Sequence, residues 1–299
     1  MNIPFVKYRK IYFIFSGILI LGSLACLVIF GLKPGIDFTG GSILEIEFKG
    51  ARPSNPEIRE KLNQFGLGEI LIQPIGEKGV ILRMKDISEE THQEILKAIK
   101  ETGELEERRF ESIGPTIGQE LKEKTKIVII LAFLSIVLYI ALAFRKISRP
   151  IASWQYGIAS LICLFNDVFI PLGIFSILGK FYGVQITIPI ICALLTVIGY
   201  SINNVVVVYD RIRENLLRAK GEVFAETVDF AVNQTLTRQI NTSLTTLFPL
   251  IAIFFLGGET LKYFALTLIL GITAGTYSSI FLASPILVSW LSLKKRSAG

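Results

Sequence analysis

Val184–Tyr209 reads VQITIPIICALLTVIGYSINNVVVVY and carries no charged residue until Asp210 ends it. As an α-helix, about 20 apolar residues match the roughly 30 Å hydrocarbon core of a bilayer. The stretch is too long for a strand and too apolar for a surface helix, so it reads as a membrane span. Working outward, five more such runs appear: Ile11–Leu32, Ile127–Phe144, Ile151–Leu178, Ile240–Leu256 and Leu261–Leu293. The fold class expected is therefore an α-helical polytopic membrane protein of six transmembrane helices. The composition agrees, with 51% hydrophobic and 19% charged residues and a mean hydropathy of +0.56.

The net charge of +6 invites a nucleic-acid reading, but the basic residues sit in short clusters beside the apolar runs. Such clusters are topology signals. Lys7, Arg9 and Lys10 precede the first span, and Arg145, Lys146 and Arg149 separate the second from the third. Arg211, Arg213, Arg218 and Lys220 follow the fourth, and Lys294, Lys295 and Arg296 follow the sixth. The opposite short loops hold only Lys180 and Lys262. Both termini are thus expected in the cytoplasm, with the long insert between the first two spans outside. The first run is too long for a signal-peptide core and ends in Gly31-Leu32-Lys33-Pro34 rather than a cleavage site, so it counts as a span.

The boundaries expected are 1–34 for the N-terminus and first span, 35–126 for the external domain, and 127–299 for a five-helix membrane bundle. Within the insert the pattern reads strand Ser42–Phe48, helix Pro53–Phe65, strand Glu69–Pro74, strand Val80–Lys85, helix Ser88–Thr102 and strand Glu104–Phe110. Leu44, Ile46 and Phe48 alternate with Glu45 and Glu47, the signature of a half-buried strand. The order βαββαβ predicts a ferredoxin-like α+β domain. In the bundle, residues 210–238 mix Val223, Phe224, Val228 and Phe230 with Glu222, Glu226 and Asp229, which predicts an amphipathic helix near the cytoplasmic surface.

Cys26, Cys163 and Cys192 lie in apolar runs and His92 is the sole histidine, so neither a metal site nor a cofactor is expected. Polar groups inside the spans are costly and mark function. Asp167 stands mid-way along the third span, either locking two helices together or passing a proton. Asn203 and Asn204 lie toward the cytoplasmic end of the fourth. Arg238 opens the fifth, followed on one helical face by Asn241 or Thr242 and then Thr245. Arg238 either snorkels to the interface or, the reading preferred here, reaches an interior water-accessible site at the depth of Asn204. Asp210 with Arg211 and Arg213 reads as an interfacial charge cluster, and Gly271, Gly275, Ser279 and Ala283 as a ridge for close helix packing.

Several of these stretches, in this order, resemble the SecD/SecF family of export membrane proteins, on its SecF side. They are Gly35-Ile36-Asp37-Phe38-Thr39-Gly40-Gly41, Ser112-Ile113-Gly114-Pro115 with Gly118, Gly199 to Asn204, Asp210-Arg211-Ile212-Arg213, Thr237 to Ser243, and Gly275 to Ser279. The resemblance implies half of a resistance-nodulation-division bundle, paired with a homologous SecD half in a prokaryotic inner membrane. It implies use of the proton gradient to draw secreted polypeptides outward after SecA and the SecYEG channel have started them, with YajC-like or YidC-like subunits as further partners. Gly35, Asp37, Gly40, Gly41, Asp210 and Arg211 fall on family motifs. Arg238 matches the family's basic residue of the fifth span and Asp167 its aspartate of the third. The chain departs from the pattern at Asn204, where the family has Asp, and at Asn166, where it has His. An amide does not titrate, so the proton-carrying carboxylate is expected on SecD. With nothing appended after Gly299, SecD is expected to be a separate chain. Rival readings are an efflux half-transporter and a non-transporting scaffold. An intramembrane protease lacks its second aspartate motif.

Overall fold

The computed structural model describes residues 3–143, 151–218 and 223–296. The chain divides into two compact units, one of Lys33–Val128 with Gln185–Thr187, the other of Met1–Leu32, Ile129–Val184 and Ile188–Gly299.

The smaller unit is built on a four-stranded antiparallel sheet. After a short turn of helix, α2 (Ile36–Thr39), come β1 (Gly41–Phe48), α3 (Asn55–Asn63), β2 (Leu71–Ile75), β3 (Gly79–Met84), α4 (Glu89–Lys100) and β4 (Leu105–Ile113). The sheet order is β2-β3-β1-β4, with Leu44 of β1 between Leu82 of β3 and Phe110 of β4. Leu44, Ile46 and Phe48 alternate onto the face that also buries Ile58 and Leu62 of α3 and Ile95 and Ile99 of α4. Ser54 and Ser88 cap the two helices by accepting from the amides of Glu57 and Thr91, both at 3.4 Å. Side-chain caps of this kind satisfy donors that the first turn leaves open.

The larger unit contains long helices: α1 (Arg9–Phe30), α6 (Ser153–Tyr182), α7 (Ile188–Arg218), α8 (Phe224–Leu256), α9 (Glu259–Ser278) and α10 (Ser284–Arg296). Between α9 and α10 the helix widens into a π-helical turn, Ser279–Ala283. Five helices among the described residues are long and apolar enough to cross a membrane: Arg9–Phe30, Ser153–Tyr182, Ile188–Arg218, Phe224–Leu256 and Leu261–Leu293. A further helix, α5 (Pro115–Ala143), runs from one unit into the other. Its apolar part holds the expected second span, which ends at Phe144, outside the described residues. Arg145, Lys146, Arg149, Lys220 and Glu222 also lie outside them.

One expectation is corrected. The described residues of 210–238 do not form a separate surface helix: the first part continues α7 to Arg218, and the last part begins α8 at Phe224. The buried positions Val228, Ala231, Val232, Thr235, Gln239 and Ser243 recur every three or four residues. That stripe keeps one face of α8 packed from its start into the apolar part, with no helix breaker between. The N-terminal segment packs on this half of α8. Asn233 pairs with both the amide and the carbonyl of Ile3 at 2.9 Å, and Asp229 accepts the Val6 amide at 2.8 Å.

Candidate functional site

The bundle interior holds a polar cluster centred on Asp167, which is fully buried. Its Oδ2 accepts hydrogen bonds from Ser201 Oγ of α7 and, at 2.8 Å, from Ser278 Oγ at the end of α9. Its Oδ1 accepts from Asn166 Nδ2 at 3.2 Å. One carboxylate therefore ties α6, α7 and α9 together. The approach depends on small residues. A Cβ on Gly271 would collide with Val197, and one on Gly275 would come within 3.1 Å of Ser201 and 3.5 Å of Asp167. The ridge read from the sequence is thus the surface against which α7 seats Ser201 beside Asp167.

A second layer links α7, α8 and the π-helical turn. Gln239 Nε2 donates to the Asn204 carbonyl at 3.2 Å, and Gln239 Oε1 accepts from Ser279 Oγ at 2.9 Å. Ser243 hydrogen-bonds Thr276 at 2.6 Å and accepts from the Tyr200 hydroxyl at 3.2 Å. The Tyr209 hydroxyl donates to the Ala283 carbonyl, at the end of the π-helical turn, at 3.2 Å. Two buried amide atoms, Asn204 Nδ2 and Asn166 Oδ1, have no hydrogen-bonding partner among the described residues.

The structure splits the residues singled out in the sequence between two places. Asp167 and Asn204 are inside. Asn203, Arg238, Asn241 and Thr242 are exposed on the outer sides of α7 and α8. The expected meeting of Asn204 with Arg238 inside the bundle does not occur, and the Arg238 side chain makes no hydrogen bond or ion pair among the described residues. The cause is helical register. Gln239 is turned about 100° from Arg238, and the neutral amide occupies the interior, where an unpaired guanidinium would carry a large desolvation cost. The signal for Gln239 was present in the sequence, because positions 235, 239 and 243 continue the apolar stripe of 228, 231 and 232. Ser201 likewise continues the apolar stripe of Val197, Val205 and Val208, and both it and Ser278 lie in stretches that carry the family resemblance, yet neither was singled out. Toward the C-terminal end of α7, Asp210 pairs with Arg213 at 3.7 Å, while Arg211 pairs with Glu214 and donates to Gln234 at 2.6 Å.

In the smaller unit the glycine motif is a steric device. Gly40 and Gly41 have φ of +73° and +133°. A Cβ on Gly40 would lie 2.7 Å from Pro115 Cα, and one on Gly41 2.7 Å from the Met84 carbonyl. Gly118 meets the Gly40 amide in the same way, at 2.7 Å. Gly35 donates its amide to the Ile186 carbonyl at 2.7 Å, and half-buried Asp37 sits in the first turn of α2.

Residues 27–51 match the model of the SecD/SecF GG motif, and residues 92–293 match that of the C-terminal region of the protein export membrane protein SecD/SecF. The chain belongs to the SecD/SecF family. Within it, the protein translocase subunit SecF of Thermobaculum terrenum is 42% identical, over 96% of this chain and 94% of the relative. Those of Vibrio alginolyticus and Synechocystis are 39% and 35% identical, over 95% and 97% of this chain and 89% and 95% of theirs. The crystal structure of SecDF from Thermus thermophilus, described as a translocon-associated membrane protein, matches 97% of the chain at a TM-score of 0.85 and 32% identity. SecDF in a super-membrane-facing form matches all of it at 0.71 and 32%. This SecD/SecF chain spans about two-fifths of each of those, 39% and 40%.

Proposed function

We propose that the chain is an auxiliary membrane subunit of the Sec protein-export machinery which, with SecD, uses the proton gradient to promote late translocation and release of secreted polypeptides. The observation that carries the pairing is the exposed polar stripe of Arg238, Asn241 and Thr242 on α8, a helix of spanning length. A charged and polar face at that position is costly against lipid. A partner bundle that covers it removes the cost, and the remaining three-fifths of the SecDF chains offers one. Since Asn204 and Asn166 cannot titrate, SecD supplies the carboxylate that exchanges the proton, and Arg238 faces it.

The finer topology belongs to the same proposal. The apolar end of α5, with Ile127, Leu131, Leu134, Leu138 and Leu142 exposed, is the second of six spans. Both termini are cytoplasmic and the sheet unit, read as ferredoxin-like from its βαββαβ order and β2-β3-β1-β4 sheet, is external. SecYEG, with YajC-like or YidC-like subunits, is the further partner set. The buried amides also favour a second reading, a scaffold that stabilises the channel without carrying protons.

Release of a secreted precursor from spheroplasts separates the two. The chain is depleted, then restored as wild type, Arg238→Ala or Asn204→Asp, with and without an uncoupler at matched expression. Loss of only the uncoupler-sensitive part with Arg238→Ala supports the coupled reading. Full restoration by every variant leaves the scaffold.

A further inference from the structure

Between α1, the start of α6 and α10 lies a cavity of about 910 Å3, within the range of small-molecule sites. Its walls include Phe13, Gly17 and Ile20 of α1, Trp154 of α6, and Ile286 and Trp290 of α10. The two indoles meet edge to face at 5.1 Å, and they are the chain's only tryptophans. Trp154 remains 57% exposed, so the cavity opens sideways beside it. A Cβ on Gly17 would touch nothing within 4 Å. No neighbouring helix requires a glycine there, and what the missing side chain leaves open is the cavity itself.

Apolar walls alone do not select an occupant; here charge does. Arg9, Phe13, Gly17 and Ile20 fall four, four and three residues apart, so they share one face of α1. The Arg9 side chain makes no hydrogen bond or ion pair among the described residues. Tryptophan rings favour the level of the head groups, and basic pockets between spanning helices suit anionic ones. We propose that this cavity takes the acyl part of an acidic phospholipid, from the leaflet at the N-terminal end of α1, with Arg9 at its phosphate. The site is independent of the polar cluster around Asp167 and of any pairing through α8.

The two tryptophans make the test direct. The full chain is reconstituted in phosphatidylcholine vesicles and titrated with acyl-brominated phosphatidylglycerol or acyl-brominated phosphatidylcholine, with tryptophan fluorescence as the readout. Half-maximal quenching is expected at about fivefold less of the acidic lipid, the contribution of one basic residue near a surface. Arg9→Gln brings the two lipids to the same curve. Gly17→Leu fills the cavity and removes the tight phase, whereas Gly22→Leu, equally unobstructed on the same helix but away from the cavity, keeps it. Identical curves for both lipids in the wild type overturn the proposal. So does an unchanged tight phase in Gly17→Leu. Fluorescence that neither lipid quenches means that a protein helix covers the site, and overturns it as well.

Discussion

A single buried carboxylate oxygen, Asp167 Oδ2, takes two hydroxyl donors from two other helices. Removing it leaves Ser201 without an acceptor, while Ser278 keeps the Gly275 carbonyl at 3.2 Å; an unpaired buried donor costs about 1–3 kcal/mol. Asp167→Ala is therefore expected to destabilise by about 1–3 kcal/mol, read as a lower unfolding midpoint in detergent. Asp167→Asn keeps one oxygen for the two hydroxyls and is expected to hold most of the stability. If Asp167→Asn is stable but loses gradient-dependent export, the carboxylate does more than lock helices. Export at the wild-type level confines it to packing. In the smaller unit, His92 is buried, stacks on Phe110 at 3.7 Å and bonds Glu89 through Nδ1 at 3.1 Å. Hydrogen bonds from Gln93 and then His92 hold the exposed Glu89 carboxyl below its ordinary range. A lowered folded-state pKa contributes stability above the unfolded value, near 4.3, and loses it as pH falls through the folded value. Glu89→Ala is thus expected to weaken amide protection of α4 in the full chain at pH 7, with the difference from wild type starting to shrink as pH falls below about 4.3 and gone only below the lowered folded value. A difference that persists in acid refutes the ion's role.

At the scale of elements, the glycine motif makes the sharpest demand. Gly40 and Gly41 combine positive φ with a backbone approach of 2.7 Å. A side chain there carries about 1–2 kcal/mol of left-handed strain and forces the neighbouring backbone to move, at about 1–3 kcal/mol more. Gly40→Ala or Gly41→Ala is expected to raise protease sensitivity of the sheet unit strongly, and Gly50→Ala, which meets nothing within 4 Å, hardly at all. Comparable sensitivity in all three removes the steric account. The elements themselves were legible to different degrees, for physical reasons. Alternation at Leu44, Ile46 and Phe48, with serine caps, placed β1 and α4 within two residues, since Leu44, Ile46 and Phe48 meet a core while Glu45 and Glu47 stay half-exposed. The long apolar runs announced the spans. What misled was charge: the acids of 222–229 suggested a surface helix apart from the fifth span, whereas packing of the face through Val228, Thr235 and Gln239 keeps α8 continuous from Phe224. The π-helical turn at Ser279–Ala283 left no local mark in the sequence.

For the whole molecule, the consequential difference between expectation and structure is the side of α8 on which Arg238 lies. A type-based reading found every polar residue of the fifth span and could not rank them by direction, because Arg238 and Gln239 differ by a single step along the helix. That step separates an inward amide, bonded to Asn204 and Ser279, from an outward cation with no intramolecular partner among the described residues. Gln239→Leu is accordingly expected to destabilise the isolated chain by about 1–2 kcal/mol, since it loses two hydrogen bonds, to the Asn204 carbonyl and to Ser279, whose hydroxyl keeps the Thr276 carbonyl at 3.0 Å. Arg238→Ala, at an exposed position, is expected to stay within about 0.5 kcal/mol of wild type. Co-expressed with SecD the order reverses for Arg238. If the guanidinium meets a carboxylate across that interface, truncating it strands a buried charge and costs about 3–5 kcal/mol, so Arg238→Ala is expected to lower recovery of the pair while Arg238→Lys recovers part of it. The measurement is the thermal midpoint of each variant alone and co-purified with SecD. A midpoint for Arg238→Ala that drops in the isolated chain means that the cation already has a partner inside this chain, and the proposed face for SecD then lies elsewhere.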